Sequence, residues 1–167
     1  MHEDLVAKLD ENLGRTIALY EQLLTTERRK QRAIVQSNME ALTEVLAQEE
    51  DLVAKAEALE AERQDLRKGL AEAEERLAPD FRLEQLLPLL DEPARGRLAT
   101  SRQRLARLAS ELNEVNRLNF HLLRSSLAVV EGILGHIFAT PSSPPLYDAA
   151  GRQQKSEQPA TRVNQVL

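Results

Sequence analysis

Apolar residues return along this chain in alternating steps of three and four, the spacing that lays side chains on one stripe of an α-helix. From Asp4 to about Gln36, one face is marked by Leu5, Leu9, Leu13, Ile17, Tyr20, Leu24 and Ile34, with no proline between them. Gly14 costs this first helix roughly 1 kcal/mol relative to alanine without breaking it. Ser37-Asn38-Met39-Glu40 then has the form of a capping box, with Ser37 as N-cap and Glu40 reaching back to its amide. A tight turn there would fold a second helix back on the first. That helix carries the most regular run, Leu42, Val45, Glu49, Leu52, Ala56, Leu59, Arg63, Leu66, Leu70, Ala73 and Leu77. From Met39 to Ala78 it would extend ~60 Å at 1.5 Å per residue, with Pro79 as its stop. On its seam, Glu49 and Arg63 are expected to carry their charges out to solvent on aliphatic stems.

Asp80 to Asp91 predicts a short helix, shortened or kinked by Pro88, with Phe81, Leu83, Leu86, Leu87 and Leu90 available to plug one end of a bundle. Pro93 suits the first turn of a third long helix, where its missing amide hydrogen costs nothing. That helix reaches Phe138, and its seam is Leu98, Ser101, Leu105, Leu108, Leu112, Val115, Asn119, Leu122, Ser126, Val129 and Ile133. Polar residues at coiled-coil seam positions set register or partner choice at a cost in stability, so Ser101, Asn119 and Ser126 leave two readings open. The seam is internal to the bundle, or it is a surface for another chain. The regular half from Leu98 to Leu112 suits internal core, and the Asn-punctuated half from Val115 to Ile137 suits a partner. After Phe138 the composition becomes that of a linker, Thr140-Pro141-Ser142-Ser143-Pro144-Pro145, followed by a polar stretch. The expected organisation is a helical bundle domain over 1–138 and a flexible tail over 139–167. Within the tail, Leu146-Tyr147-Asp148-Ala149-Ala150-Gly151 is an isolated apolar pair of the kind that docks on partners.

Composition narrows the picture. Hydrophobic residues make up 42% of the 167, with three Phe, two Tyr and no Trp, which favours long helices over a sandwich or α/β core. The absence of cysteine excludes disulfides and thiolate metal sites and is compatible with a reducing cytosol. No signal peptide is visible at the acidic start, and no apolar run is long enough for a membrane span, so a soluble cytoplasmic protein without membrane insertion is expected. The net charge of −5 argues against nucleic acid as a partner. Residues 37–78 carry twelve acidic side chains against five basic, and residues 94–138 carry seven Arg against three acidic, so these helices have complementary flanks. No Gly-rich phosphate loop is present, and His2, His121 and His136 form no metal-ligand spacing. Neither enzymatic activity nor a cofactor is expected.

Several segments together resemble the FlgN-type flagellar export chaperones, small helical proteins of the flagellar type III secretion pathway. They are Leu19-Tyr20-Glu21-Gln22-Leu23-Leu24, the turn Asn38-Met39-Glu40-Ala41-Leu42, the Asn-rich stretch from Leu112 to Asn119 followed by Leu122-Leu123, and Leu146-Tyr147-Asp148-Ala149-Ala150-Gly151. The last departs from the commoner pattern in its Asp148-Ala149-Ala150 filling. The resemblance implies a chaperone that binds hook-associated (hook–filament junction) proteins, keeps their terminal helices from associating and delivers them to the export gate. It also implies that the C-terminal helix holds cargo, and that the tail tyrosine, Tyr147 here, docks on the cytoplasmic domain of the export-gate membrane protein.

The expected fold is thus all-α, an elongated antiparallel bundle of three long helices with a short extra helix and a disordered C-terminal tail. The chain would be a monomer or weak homo-oligomer. Cargo binding falls to Leu112, Val115, Leu118, Asn119, Leu122, Val129 and Ile133, and export-gate docking to Leu146, Tyr147 and Gly151. Two other classes remain. A coiled-coil scaffold or homo-oligomeric adaptor would pair the same stripes between copies of the chain, and a basic-helix DNA binder would use the arginines between 95 and 124.

Overall fold

A computed structural model of the chain describes residues 2–78 and 80–138, most of which are helical, with no strand among them. Three long helices, α1 (His2–Val35), α2 (Met39–Ala73) and α4 (Glu92–Phe138), are joined by a short α3 (Leu83–Leu86) that runs into a 3₁₀ turn at Leu87–Leu89. The chain divides into two compact units, Met1–Leu127 and Ala128–Leu167. The first is the bundle described next. Of the second, only the helical residues 128–138 are described.

Within the first unit α1 is the central helix. Its apolar stripe packs Ile17 and Leu24 against Leu108 of α4, while Leu19 and Leu23 turn the other way onto Leu52 of α2. The antiparallel course of α1 and α2 is fixed by polar contacts at both ends: Asn12 Nδ2 donates to the Leu59 carbonyl at 3.0 Å, and Arg29 donates to Gln48 at 2.7 Å. Helix α4 runs parallel to α1, with Arg97 on Asp10, Arg104 on Glu21 and Asn119 on Glu27. The helical periodicity of all three long segments is therefore present as expected.

The segment after α2 closes one end. Leu77, Phe81 and Leu86 are buried with Val6, Leu9, Leu13, Leu70 and Leu98 in one cluster, and Leu83, Leu87 and Leu90 pack on it. Pro88 sits in the first turn of the 3₁₀ element and ends α3 after four residues. Two boundaries differ from the sequence expectation. Helix α2 stops at Ala73 because Glu74 turns extended (φ −131°, ψ 102°), and the chain then bends so that Leu77 and Phe81 reach the core. The N-cap of α2 is Asn38, whose side chain accepts from the Ala41 amide at 3.0 Å, and not Ser37.

Ser37 has a different task, in the left-handed conformation (φ 53°) one residue beyond the C-cap of α1. Its amide donates to the Ile34 carbonyl and that of Asn38 donates to the Ala33 carbonyl, the pair of bonds that defines a Schellman ending. The Ser37-to-Glu40 spacing of a capping box points to Ser37 as the cap, although asparagine is as good an N-cap as serine. The geometry of the preceding helix end decides between them.

The charged flanks also pair differently from the expected α2–α4 match. Acids of α2 are answered from α1 (Arg15–Glu62, Arg29–Glu44), and arginines of α4 by acids of α1 and α3 (Arg97–Asp10, Arg104–Glu21, Arg102–Glu84). These pairs are exposed, and each is worth about 0–1 kcal/mol.

The exception is buried. Lys30 Nζ lies 2.6 Å from Glu27 and 2.7 Å from Glu49, and Asn119 Nδ2 donates to the Glu27 carboxylate at 2.8 Å and to its carbonyl at 2.9 Å. Glu49 therefore does not extend its charge to solvent as expected. It turns inward to a lysine that the apolar pattern of α1 gave no reason to place inside. Burial pulls the Lys30 ammonium down, but the bonds and charges of Glu27 and Glu49 together hold it above the usual lysine range. Burial raises the Glu49 carboxyl, and the neighbouring Glu27 adds to that rise against the lowering effect of Lys30.

Two consequences are measurable. Replacing Ser37 by glycine removes the cost of a left-handed L-residue and is expected to stabilise the chain by about 0.5–1 kcal/mol in chemical denaturation. A carboxyl with a raised folded pKa binds its proton more readily in the fold, so its contribution to stability falls as pH rises above the ordinary carboxylate value and recovers on acidification. Between pH 7 and about pH 5, wild type should therefore gain stability relative to Glu49→Gln, the two being compared by urea denaturation at each pH.

Candidate functional site

The seam residues of α4 fall into distinct environments. Leu98 and Leu108 are buried, and Leu112 and Val115 lie half-buried against the Ile17–Leu24–Leu108 cluster. Asn119 is only 1% exposed and is spent on Glu27; its Oδ1 has no hydrogen-bond partner among the described residues. Leu122 is half-buried and Leu118 is exposed. Past Leu122, every described side chain of α4 up to Gly135 is exposed. Of the residues assigned to cargo, Val129 is 60% and Ile133 54% exposed, and both belong to the second unit. Leu146, Tyr147 and Gly151 lie outside the described residues.

The length of α1 limits how far along α4 it can pack within the first unit. Asn119 of α4 contacts Glu27 of the parallel α1, and α1 ends at Val35. Eight residues remain on α1 beyond that contact, so on α4 it is matched only as far as about residue 127 at equal rise per residue.

Exposure reveals a second apolar row that the three-four seam passes over. Phe120, Leu123 and Leu127 in the first unit, and Val130 and Leu134 in the second, are all large, apolar and exposed. Each seam residue from Leu122 onward is followed by one of them: Leu122-Leu123, Ser126-Leu127, Val129-Val130, Ile133-Leu134. The signal was legible as this doubling, which a search for a single stripe does not weigh. At 3.6 residues per turn the two rows together occupy roughly half of the helix circumference, against the narrower stripe a coiled-coil seam needs. The other half carries Arg124, Ser125, Ala128, Glu131, Gly132 and Gly135.

Chemically this surface can bury apolar side chains and little else. Phe120 makes an edge contact with the His121 ring, with centroids 5.9 Å apart, and both residues are solvent-facing. The described residues contain no group of three or more His, Asp or Glu placed to hold a metal ion. No described helix is long and apolar enough to cross a membrane. Gly132 and Gly135 add a local cost, since each interior glycine weakens a helix by about 1 kcal/mol relative to alanine. A helix end of this kind gains order from whatever packs on it.

Comparison with known proteins bears on the same residues. The family model described as FlgN protein matches residues 1–155. No curated protein and no solved structure matches the chain. With a matched span that takes in every helix described above, the chain belongs to the FlgN family, chaperones of flagellar biogenesis and not a family of enzymes.

Proposed function

We propose that this chain is a cytoplasmic export chaperone that receives the terminal helices of flagellar hook-associated proteins on the distal half of α4. It keeps those helices from associating prematurely and delivers them to the flagellar export gate. The observation that carries this reading is the exposure of large apolar side chains, Leu118, Leu123, Val129 and Ile133 among them, on a helix of a chaperone. Amphipathic helices gain by packing their apolar face on such a surface, the helix-in-groove mode of recognition. Each large aliphatic side chain buried on both partners contributes roughly 1.5–3 kcal/mol before the costs of ordering and association.

Leu112 and Val115 form the inner border of this surface, continuous with the core, and Leu122 the transition. Asn119 acts from below, fixing α4 to Glu27. Ser126 and the two glycines limit how tightly a cargo helix is held, and delivery requires release. Residues 139–167 supply the second contact in this reading. Leu146, Tyr147 and Gly151 dock on the cytoplasmic domain of the export-gate membrane protein, so that cargo and gate are held by different parts of one chain.

A homo-oligomeric scaffold would use the same rows to pair copies of the chain. Sedimentation of the full chain separates the two readings: a monomer that captures hook-associated proteins supports the chaperone, and a stable oligomer that ignores them supports the scaffold. Val129→Asp combined with Ile133→Asp should weaken capture of hook-associated proteins about a hundredfold or more, as loss of two central anchors implies. Far-UV circular dichroism should be unchanged, because both side chains are already solvent-facing. Tyr147→Ala should leave cargo capture intact and lower affinity for the gate domain, and equal loss of both would contradict the division of labour.

A further inference from the structure

A second recessed surface lies in the first unit, between α1, α2, α4 and the segment leading into α3. It is a cavity of about 280 Å³ with an apolar floor that includes Leu9, Phe81 and Leu105. Its charged lining is Arg63 and Arg67 from α2, Arg82 just before α3 and Arg102 from α4, with no carboxylate among the lining residues. In a chain of net charge −5, four guanidiniums from three parts of the fold converge here.

The arginines are held in place. Arg67 donates to the Phe81 carbonyl and lies 5.4 Å from the centre of the Phe81 ring, itself buried in the end cluster. Arg63 and Arg102 are paired with Glu60 and Glu84, which stand outside the cavity. Burial, with the charge of Arg67 added to it, lowers the Arg63 guanidinium below its usual range. Cations crowded over an apolar floor favour a ligand that brings negative charge and an apolar group together. Planar guanidiniums bind carboxylates bidentately; Arg82 is exposed, and Arg102 is exposed too, in a surface pair with Glu84 that a ligand carboxylate would share or displace. The volume is below the roughly 300–1,000 Å³ of sites for whole small molecules, so it suits a side chain inserted from a larger ligand.

We propose that this cavity is a docking site for an acidic peptide segment of a partner protein, one that presents a large apolar side chain flanked by carboxylates. The apolar group enters over Phe81 and Leu105, and the carboxylates meet Arg82 and Arg102 at the mouth. The site differs in charge and in residues from the rows on α4, so one chaperone would hold an apolar helix at one place and an acidic segment at another.

The test is fluorescence anisotropy with the full chain and fluorescein-labelled peptides DLFELD and KLFKLK. The acidic peptide should bind saturably, the basic one should not, and raising salt from about 20 mM to 500 mM should weaken binding by screening the mouth arginines. Arg82→Gln combined with Arg102→Gln should reduce affinity at least tenfold, while Val129→Asp leaves it unchanged. Equal binding of the acidic peptide to the double variant overturns the proposal, as does the absence of saturable binding at about 1 mM peptide. Arginine-dependent binding of decanoate but not of the peptide also overturns it, in favour of a small amphiphile. Because cargo capture is read with Val129→Asp and this site with the arginine pair, the two readings fail separately.

Discussion

Lys30 stands where α1, α2 and α4 meet, and its ammonium can satisfy Glu27 and Glu49 at once in only one register of α1 against α2. Asn119 then ties α4 to the same Glu27. Such a node is expensive. The Glu27 carboxylate and the Lys30 ammonium leave water and Glu49 is half-buried, and a buried ion cluster adds little net stability compared with well-packed apolar residues. Removing one member is costly, since the charges left behind have no compensation. Its use is alignment: long helices with repeating Leu and Ala pack nearly as well when shifted by a heptad, and a polar node penalises every shifted arrangement. Within the first unit that alignment also sets which face of α4 lies against α1, with Leu108 inward and Leu118 and Phe120 exposed.

Much of this arrangement was legible in the sequence, and the parts that were not share a cause. The large apolar positions in the seams of α1, α2 and the first half of α4, and the plug from Phe81 to Leu90, followed from spacing alone because burial there is apolar. The second buried face of α1 did not, since it is made of Asn12, Thr16, Thr26 and Lys30 as well as Leu19 and Leu23. A stripe half composed of polar residues is invisible to a search for hydrophobic periodicity. Glu49 was misplaced for the same reason: whether a seam carboxylate turns outward or inward depends on a partner in another helix. The end of α2 was set too late because Pro79 is an obvious stop, whereas the turn at Glu74 answers to the burial of Leu77 and Phe81. At the candidate site, the doubled row on α4 was present in the sequence as adjacent pairs, and exposure gave it meaning. The arginine cavity had no local signature, since its four cations come from positions spread between 63 and 102.

The two recessed or exposed surfaces suit different physical tasks. Contacts on the α4 rows would draw on burial of apolar area, which is insensitive to salt and strengthens with the length of helix engaged. Contacts at the arginine cavity would draw on charge, which steers encounter and weakens with ionic strength. A chaperone that must hold cargo firmly and then give it up benefits from keeping these separate, because one contact can be altered without changing the other.

On the proposed reading, the part of α4 past Leu122, exposed among the described residues, is where cargo packs. Amide hydrogen exchange along α4, with and without a hook-associated protein, tests it most directly. Amides between Leu98 and Val115 should be strongly protected in the free chain, and those between Leu123 and Gly135 should exchange rapidly and become protected when cargo is added. Protection between Leu123 and Gly135 in the free chain equal to that around Leu108, or no change there on cargo binding, would contradict a docking surface on α4.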